Sequence, residues 1–177
     1  MPLEQSRYQV RFDWGVEGAD AIAADADVTV WVDALQDDGA FDIGRMPAGG
    51  AIIAADFRSA RAAALWAVKR QADVGRRIVI AVVAAGTRRP TGRFRFAVED
   101  QLAAGAVIAA LGKLGLDATS PEAAAAEAAF LGLSRAVSHL VSASVSANAT
   151  DRTARSVVTR VDQDLSASEV LVLRPGD

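Results

Sequence analysis

The chain has no cysteine and a single histidine, His139. The first absence excludes a disulfide framework, a thiolate nucleophile and cysteine-ligated zinc or iron–sulfur centres. The second excludes the usual catalytic zinc sites, which need two or three imidazoles. Carboxylates, hydroxyls and arginines are left as the working chemistry. Lysine is also scarce, Lys69 and Lys113 being the only two. A formal net charge of -3 gives no field to draw in a phosphate backbone, so no nucleic-acid partner is expected. The opening MPLEQSRYQVRFDWG lacks a basic stretch followed by an apolar run, and no window approaches about 18 unbroken apolar residues. A cytoplasmic protein with no membrane association is the expectation.

What is present suffices for one core. The chain has 177 residues, of which 51 % are hydrophobic and 23 % charged, so apolar burial can offset the entropy of ordering. A single domain over residues 1–177 is expected. Tyr8 to Asp13 alternate, Val10 and Phe12 against Arg11 and Asp13, as in a strand with one wet face. Trp14-Gly15 then turns into a helix with Val16, Ala19, Ile22 and Ala23 on one side. Val28–Leu35, Ala51–Asp56 and Arg77–Gly86 are continuous apolar runs, the pattern of strands covered on both faces.

Helical patterns separate these runs, predicting a three-layer α/β/α domain with a mixed, mostly parallel sheet. Glu99 opens an apolar helix. Ser120-Pro121-Glu122 starts another, with Ser at the cap and Pro at the first position. Further helix is expected over Leu133–Val145 and about Arg152–Asp162, and a last strand over Glu169–Arg174. The three tryptophans, Trp14, Trp31 and Trp66, occupy apolar periodic positions and are read as core.

Several residues carry more than one reading. Glu99-Asp100 is either an acidic first turn offsetting the helix dipole or a pair of metal ligands. Asp33, at a strand end, either caps the next loop or works in a site. Arg58 either binds an anion at a helix start or makes a surface salt bridge. Arg88, Arg89, Arg93 and Arg95, interleaved with Phe94 and Phe96, read as a solvated loop placed to close over an anion. Gly44–Gly50 has phosphate-loop glycine spacing but Gly50 where a lysine is needed, so it is no nucleotide site. His139 and Ser138 are sequence neighbours pointing to different sides of a helix, so they form no dyad.

Ala85–Leu111 (AGTRRPTGRFRFAVEDQLAAGAVIAAL) resembles the 2-phosphosulfolactate phosphatase family, in which an Ala-Gly strand end and a polar loop lead to a Glu-Asp pair and a Gly/Ala-rich helix. YQVRFDWG, VDAL at Val32–Leu35, SPEAAAAEAAF and the tail VDQDLSASEVLVLRPG follow the same family in the same order. The resemblance implies magnesium-dependent hydrolysis of a small anionic phosphate ester. It implies Asp33 as catalytic residue, Arg58, Ser59, Gly86 and Thr87 as substrate contacts, and Glu99 and Asp100 as magnesium ligands. The alternative is a catalytically degenerate anion-binding or protein-interaction module. Two departures favour it: Gln36-Asp37-Asp38 replaces the family's arginine, and only Gln36–Gly50 spans the region where the family has a long insert. The shortened region also predicts exposed apolar surface covered in a homodimer. Loss of the arginine, at about 3 kcal/mol or roughly a hundredfold in rate, predicts weak or absent activity on 2-phosphosulfolactate.

Overall fold

The computed structural model describes residues 4–35, 42–149 and 169–176. Strand β1 (Val10–Trp14) leads into helix α1 (Gly15–Ile22), and β2 (Val28–Val32) is followed by a loop containing a 3-10 turn at Ile43–Arg45. Then come β3 (Ala51–Ala55), α2 (Ala60–Val74) and β4 (Ile80–Ala84). A small hairpin follows, β5 (Thr87–Arg88) and β6 (Phe94–Arg95). Helices α3 (Val98–Lys113), α4 (Pro121–Leu133), α5 (Val137–Ser142) and α6 (Val145–Ala149) precede the final strand β7 (Leu171–Arg174).

The main sheet has the order β1-β4-β2-β3-β7, with β7 alone antiparallel. β2 and β4 are buried at every position because they lie centrally and are covered on both faces, as their unbroken apolar runs predict. The β1–α1–β2 crossover runs one way along the sheet and β3–α2–β4 runs back. Right-handed connections therefore place α1 and α2 on opposite faces. Two apolar clusters record this. One joins α2, α3, α4 and α5 to Val30, Ile53 and Val82; the other joins α1 and Met46 to Trp31, Ile52 and Val83. The fold is the expected three-layer α/β, with a mixed, mostly parallel sheet.

Arg11 overturns the expected wet face of β1. It is 0 % exposed, its guanidinium donating to the carbonyls of Ser6, Tyr8 and Ile22 and pairing with Asp25. The side of β1 that alternation marks as polar lies under α1, so a charge with a planar fork of donors serves there to satisfy the helix end.

α3 and α4 pack closely at Gly105, where a Cβ would stand 2.2 Å from the Ala126 carbonyl oxygen. Ser120 caps α4 as expected, accepting the Ala123 amide at 3.1 Å. The single helix expected over Leu133–Val145 is broken into a 3-10 turn at Ser134–Ala136, α5 and the start of α6. Serine hydroxyls explain the break: Ser134 and Ser142 donate back to the Leu131 and His139 carbonyls, and Ser144 accepts the Ala147 amide. By length and composition this stretch, Pro121–Asn148, is apolar enough to cross a membrane, though α4 packs along α3.

Trp31 is buried as read, whereas Trp14 and Trp66 are only half-buried. In the loop between β2 and β3 Met46 is buried and Ile43 is exposed. Gln36, Asp37 and Asp38, and the helix expected about Arg152–Asp162, lie outside the described residues.

Candidate functional site

At the carboxyl end of a mainly parallel sheet, strands whose chains leave to opposite faces open a crevice between them. Here β1 and β4 are neighbours, in register from Val10 with Ile80 to Trp14 with Ala84. The chain leaves β1 into α1 on one face and leaves β4 toward α3 on the other. A cleft of about 830 Å³ lies at this end. Its walls are the first turn of α1, the Ala85-Gly86-Thr87 exit of β4, the β5–β6 hairpin and Arg45. Both strand exits turn through left-handed glycines, Gly15 at φ +61° and Gly86 at φ +64°. The Phe94 ring lies against both: a Cβ on Gly86 would stand 2.5 Å from that ring, and one on Gly15 3.3 Å.

Two features make the cleft suited to an anion. The first turn of α1 lines it, and the N-cap, Trp14, supplies no side-chain acceptor to the helix amides. Arg45, Arg88 and Arg93 stand on its walls, and none has a carboxylate partner among the described residues. Asp13, at the end of β1, also lines it; its Oδ1 accepts the Trp14 amide at 2.7 Å and its Cβ leaves no room for a side chain at Gly18. Glu4 and Glu17 supply further negative charge at the walls, so cation and anion are mixed rather than segregated.

Of the residues singled out from sequence, Gly86 and Thr87 line this cleft, as do Arg88, Arg93, Phe94 and Phe96 of the arginine-rich loop; Asp33, Arg58, Ser59, Glu99 and Asp100 do not. Asp100 is buried behind Gly86. Its Oδ1 accepts the Ala34 amide and its Oδ2 the Gly86 amide, each at 2.9 Å, so one carboxyl ties the exit of β2 to the exit of β4. Burial first, then the charges of Asp33 and Glu99, push its carboxyl well above the usual range against the pull of the two amides. Asp33 follows β2, accepts the Leu35 amide at 3.2 Å and donates its own amide to the Ala55 carbonyl. Glu99 is 2 % exposed, and its Oε2 has no hydrogen-bond partner among the described residues.

These carboxylates do not form a preassembled magnesium cage. Among the described residues no three Asp, Glu or His side chains come together as a metal-ligating group, and both oxygens of Asp100 already hold backbone amides.

Arg58 and Ser59 belong to a local knot around Asp56, at the exit of β3. Asp56 Oδ1 accepts from the Arg58 and Ser59 amides and from Ser59 Oγ, while Oδ2 accepts from Arg58 Nε and Nη2 at 2.9 and 2.7 Å. Ser59 Oγ in turn accepts the Asp56 amide at 2.9 Å. Burial works against the Asp56 charge, but the Arg58 and Ser59 bonds hold its carboxyl below the usual range. Asp56 therefore stabilises the fold above pH about 3.8, and this contribution fades as pH falls through its lowered value. Arg58→Ala is expected to cost about 1 kcal/mol, leaving the Ser59 bonds in place. A denaturant melt checks it. Phosphate affinity reduced tenfold or more at unchanged stability would instead make Arg58 an anion contact.

Asp13, Trp14 and Arg45 are cleft residues that carry no site role in the sequence reading. The usable signal was topological: a strand ending in Asp-Trp-Gly before a helix marks a carboxyl-terminal strand exit. The chain matches no family model and no curated protein.

Proposed function

We propose that this domain hydrolyses a small anionic phosphate ester bound in the β1–β4 cleft, a reading in line with its resemblance to the 2-phosphosulfolactate phosphatases. The observation that carries it is the uncapped first turn of α1 lining one cleft together with Arg45, Arg88 and Arg93 at the sheet's carboxyl end. Phosphoryl transfer needs little covalent help from a protein; it needs oxygens held in place and charge neutralised as it spreads. Helix amides and guanidiniums supply both. Asp13, with Oδ1 held by the Trp14 amide, orients a water through Oδ2 and takes its proton as the water oxygen bonds to phosphorus; the ester P–O bond breaks and the leaving oxygen takes a proton from solvent water. Magnesium needs only one or two carboxylates; in the cleft Asp13 would hold it, and it would supply neutralisation of charge on the phosphoryl group.

The test is phosphate release from a panel of small phosphomonoesters, 2-phosphosulfolactate among them, with magnesium and with a chelator. Asp13→Asn is expected to lower kcat roughly a hundredfold with little change in KM. Absence of release across the panel would sink the hydrolase reading. A second reading, an anion-binding module without catalysis, is favoured by Asp100, Arg58 and Ser59, each taken up by backbone or neighbouring side chains. Saturable phosphate binding without turnover is its signature.

A further inference from the structure

We propose that the cleft selects a phosphate carried on a flat ring, the chemistry shared by aryl phosphates and nucleoside monophosphates, over a phosphate carried on a short aliphatic chain. The proposal rests on the cleft being the anion site. It goes further by naming the body to which the phosphate is attached.

The chain is poor in aromatics, with 3 Trp, 1 Tyr and 6 Phe, yet three of these rings meet at the cleft mouth. Trp14, Phe94 and Phe96 pack edge to face around one point, with centroids 6.1, 5.0 and 5.4 Å apart. They are not there to fill the core: Phe96 is 65 % exposed and Phe94 41 %. Phe94 lies over the left-handed glycines at both strand exits, while much of its surface faces solvent. An exposed aromatic cluster bordering a concave, arginine-bearing site is what a planar ligand needs. Its ring gains an apolar wall while its phosphate meets Arg88, Arg93 and the α1 amides.

Size agrees. A volume of about 830 Å³ lies toward the upper end of pockets that enclose drug-sized ligands, far more than a three-carbon ester fills. Arg88 donates from Nη1 to the Gly92 carbonyl across the hairpin turn, which ties the arginine to the loop that carries Phe94. Ring contact and phosphate contact thus come from one short hairpin.

Titrations of the full chain, followed by tryptophan fluorescence and calorimetry, test this with phenyl phosphate, glycerol 3-phosphate and inorganic phosphate. Phenyl phosphate is expected to bind roughly tenfold tighter than glycerol 3-phosphate. Phe96→Ala, at an exposed position, is expected to bring phenyl phosphate down to the affinity of glycerol 3-phosphate, and Arg93→Ala to weaken all three anions. Equal binding of the two esters by the unmodified protein would overturn the proposal. So would a Phe96→Ala variant that keeps the preference. Light scattering that finds a dimer dissociated by Phe96→Ala, with no ring preference in the original, would also overturn it and assign the rings to a second copy of the chain. Turnover is scored separately: phenyl phosphate bound but not cleaved refutes the hydrolase and leaves the ring preference standing. Equal cleavage of both esters with equal affinity does the reverse.

Discussion

Replacing Arg11 by alanine is expected to destabilise the domain by about 4 kcal/mol, the range seen when a buried charge network loses one member. Arg11 is fully buried and its guanidinium spans the segment before β1, the end of α1 and Asp25. Asp25 is half-exposed and would recover water, so most of the cost falls on the Ile22 carbonyl and on the cavity left by the side chain. Arg11→Lys keeps a charge but loses the fork that reaches several acceptors at once, and should give back less than half of the loss. Chemical denaturation of both variants measures the two values. An Arg11→Ala protein within 1 kcal/mol of the original would mean that the network contributes little.

Asp100→Ala comes next in size, at roughly 3 kcal/mol. It leaves the buried Ala34 amide without an acceptor and frees the partly buried Gly86 amide. At about 2–4 °C per kcal/mol for a chain of this length, melting should fall by about 6–12 °C. Asp100→Asn keeps one acceptor and should lose about half as much. The pH dependence has its own sign. Burial, with the Asp33 and Glu99 charges, raises the Asp100 carboxyl in the folded state above its ordinary 3.8, so the native form binds the proton more readily than the unfolded chain. The contribution of this group to stability therefore grows as pH falls from the raised value toward 3.8, opposite in sign to that of Asp56. Asp100→Asn should remove that slope. An unchanged melting temperature for Asp100→Ala would show that the clamp between β2 and β4 is dispensable.

These two residues also mark where sequence stops being legible. β2, β3 and β4 are readable because burial on both faces writes itself as unbroken Val, Ile and Ala, and Ser120-Pro121 announces α4 through a contact only three residues long. Arg11 misleads because alternation reports polarity, and polarity is a proxy for water only when no helix end lies above the strand. Asp100 is ambiguous for a related reason: its acceptor role depends on amides 66 and 14 residues away, brought together by the β4–β2 register. The knot at Asp56 was within reach, since Arg58 and Ser59 lie two and three residues on, in the pattern by which an aspartate side chain folds back on its own backbone. Gly86 and Thr87 were placed in the site by resemblance and do line the cleft. Asp13 and Trp14 join them only once β1 and β4 are known to be neighbours.

The central claim is that the anion site is the β1–β4 cleft. An amide-resolved NMR titration with inorganic phosphate tests it most directly, because the N–H groups at issue are themselves the probes. Saturable shifts are expected at Gly15 to Gly18, Thr87, Arg88 and Arg93, with Arg58 and Ser59 unmoved. Shifts centred on Arg58 and Ser59, or none that saturate, would contradict it.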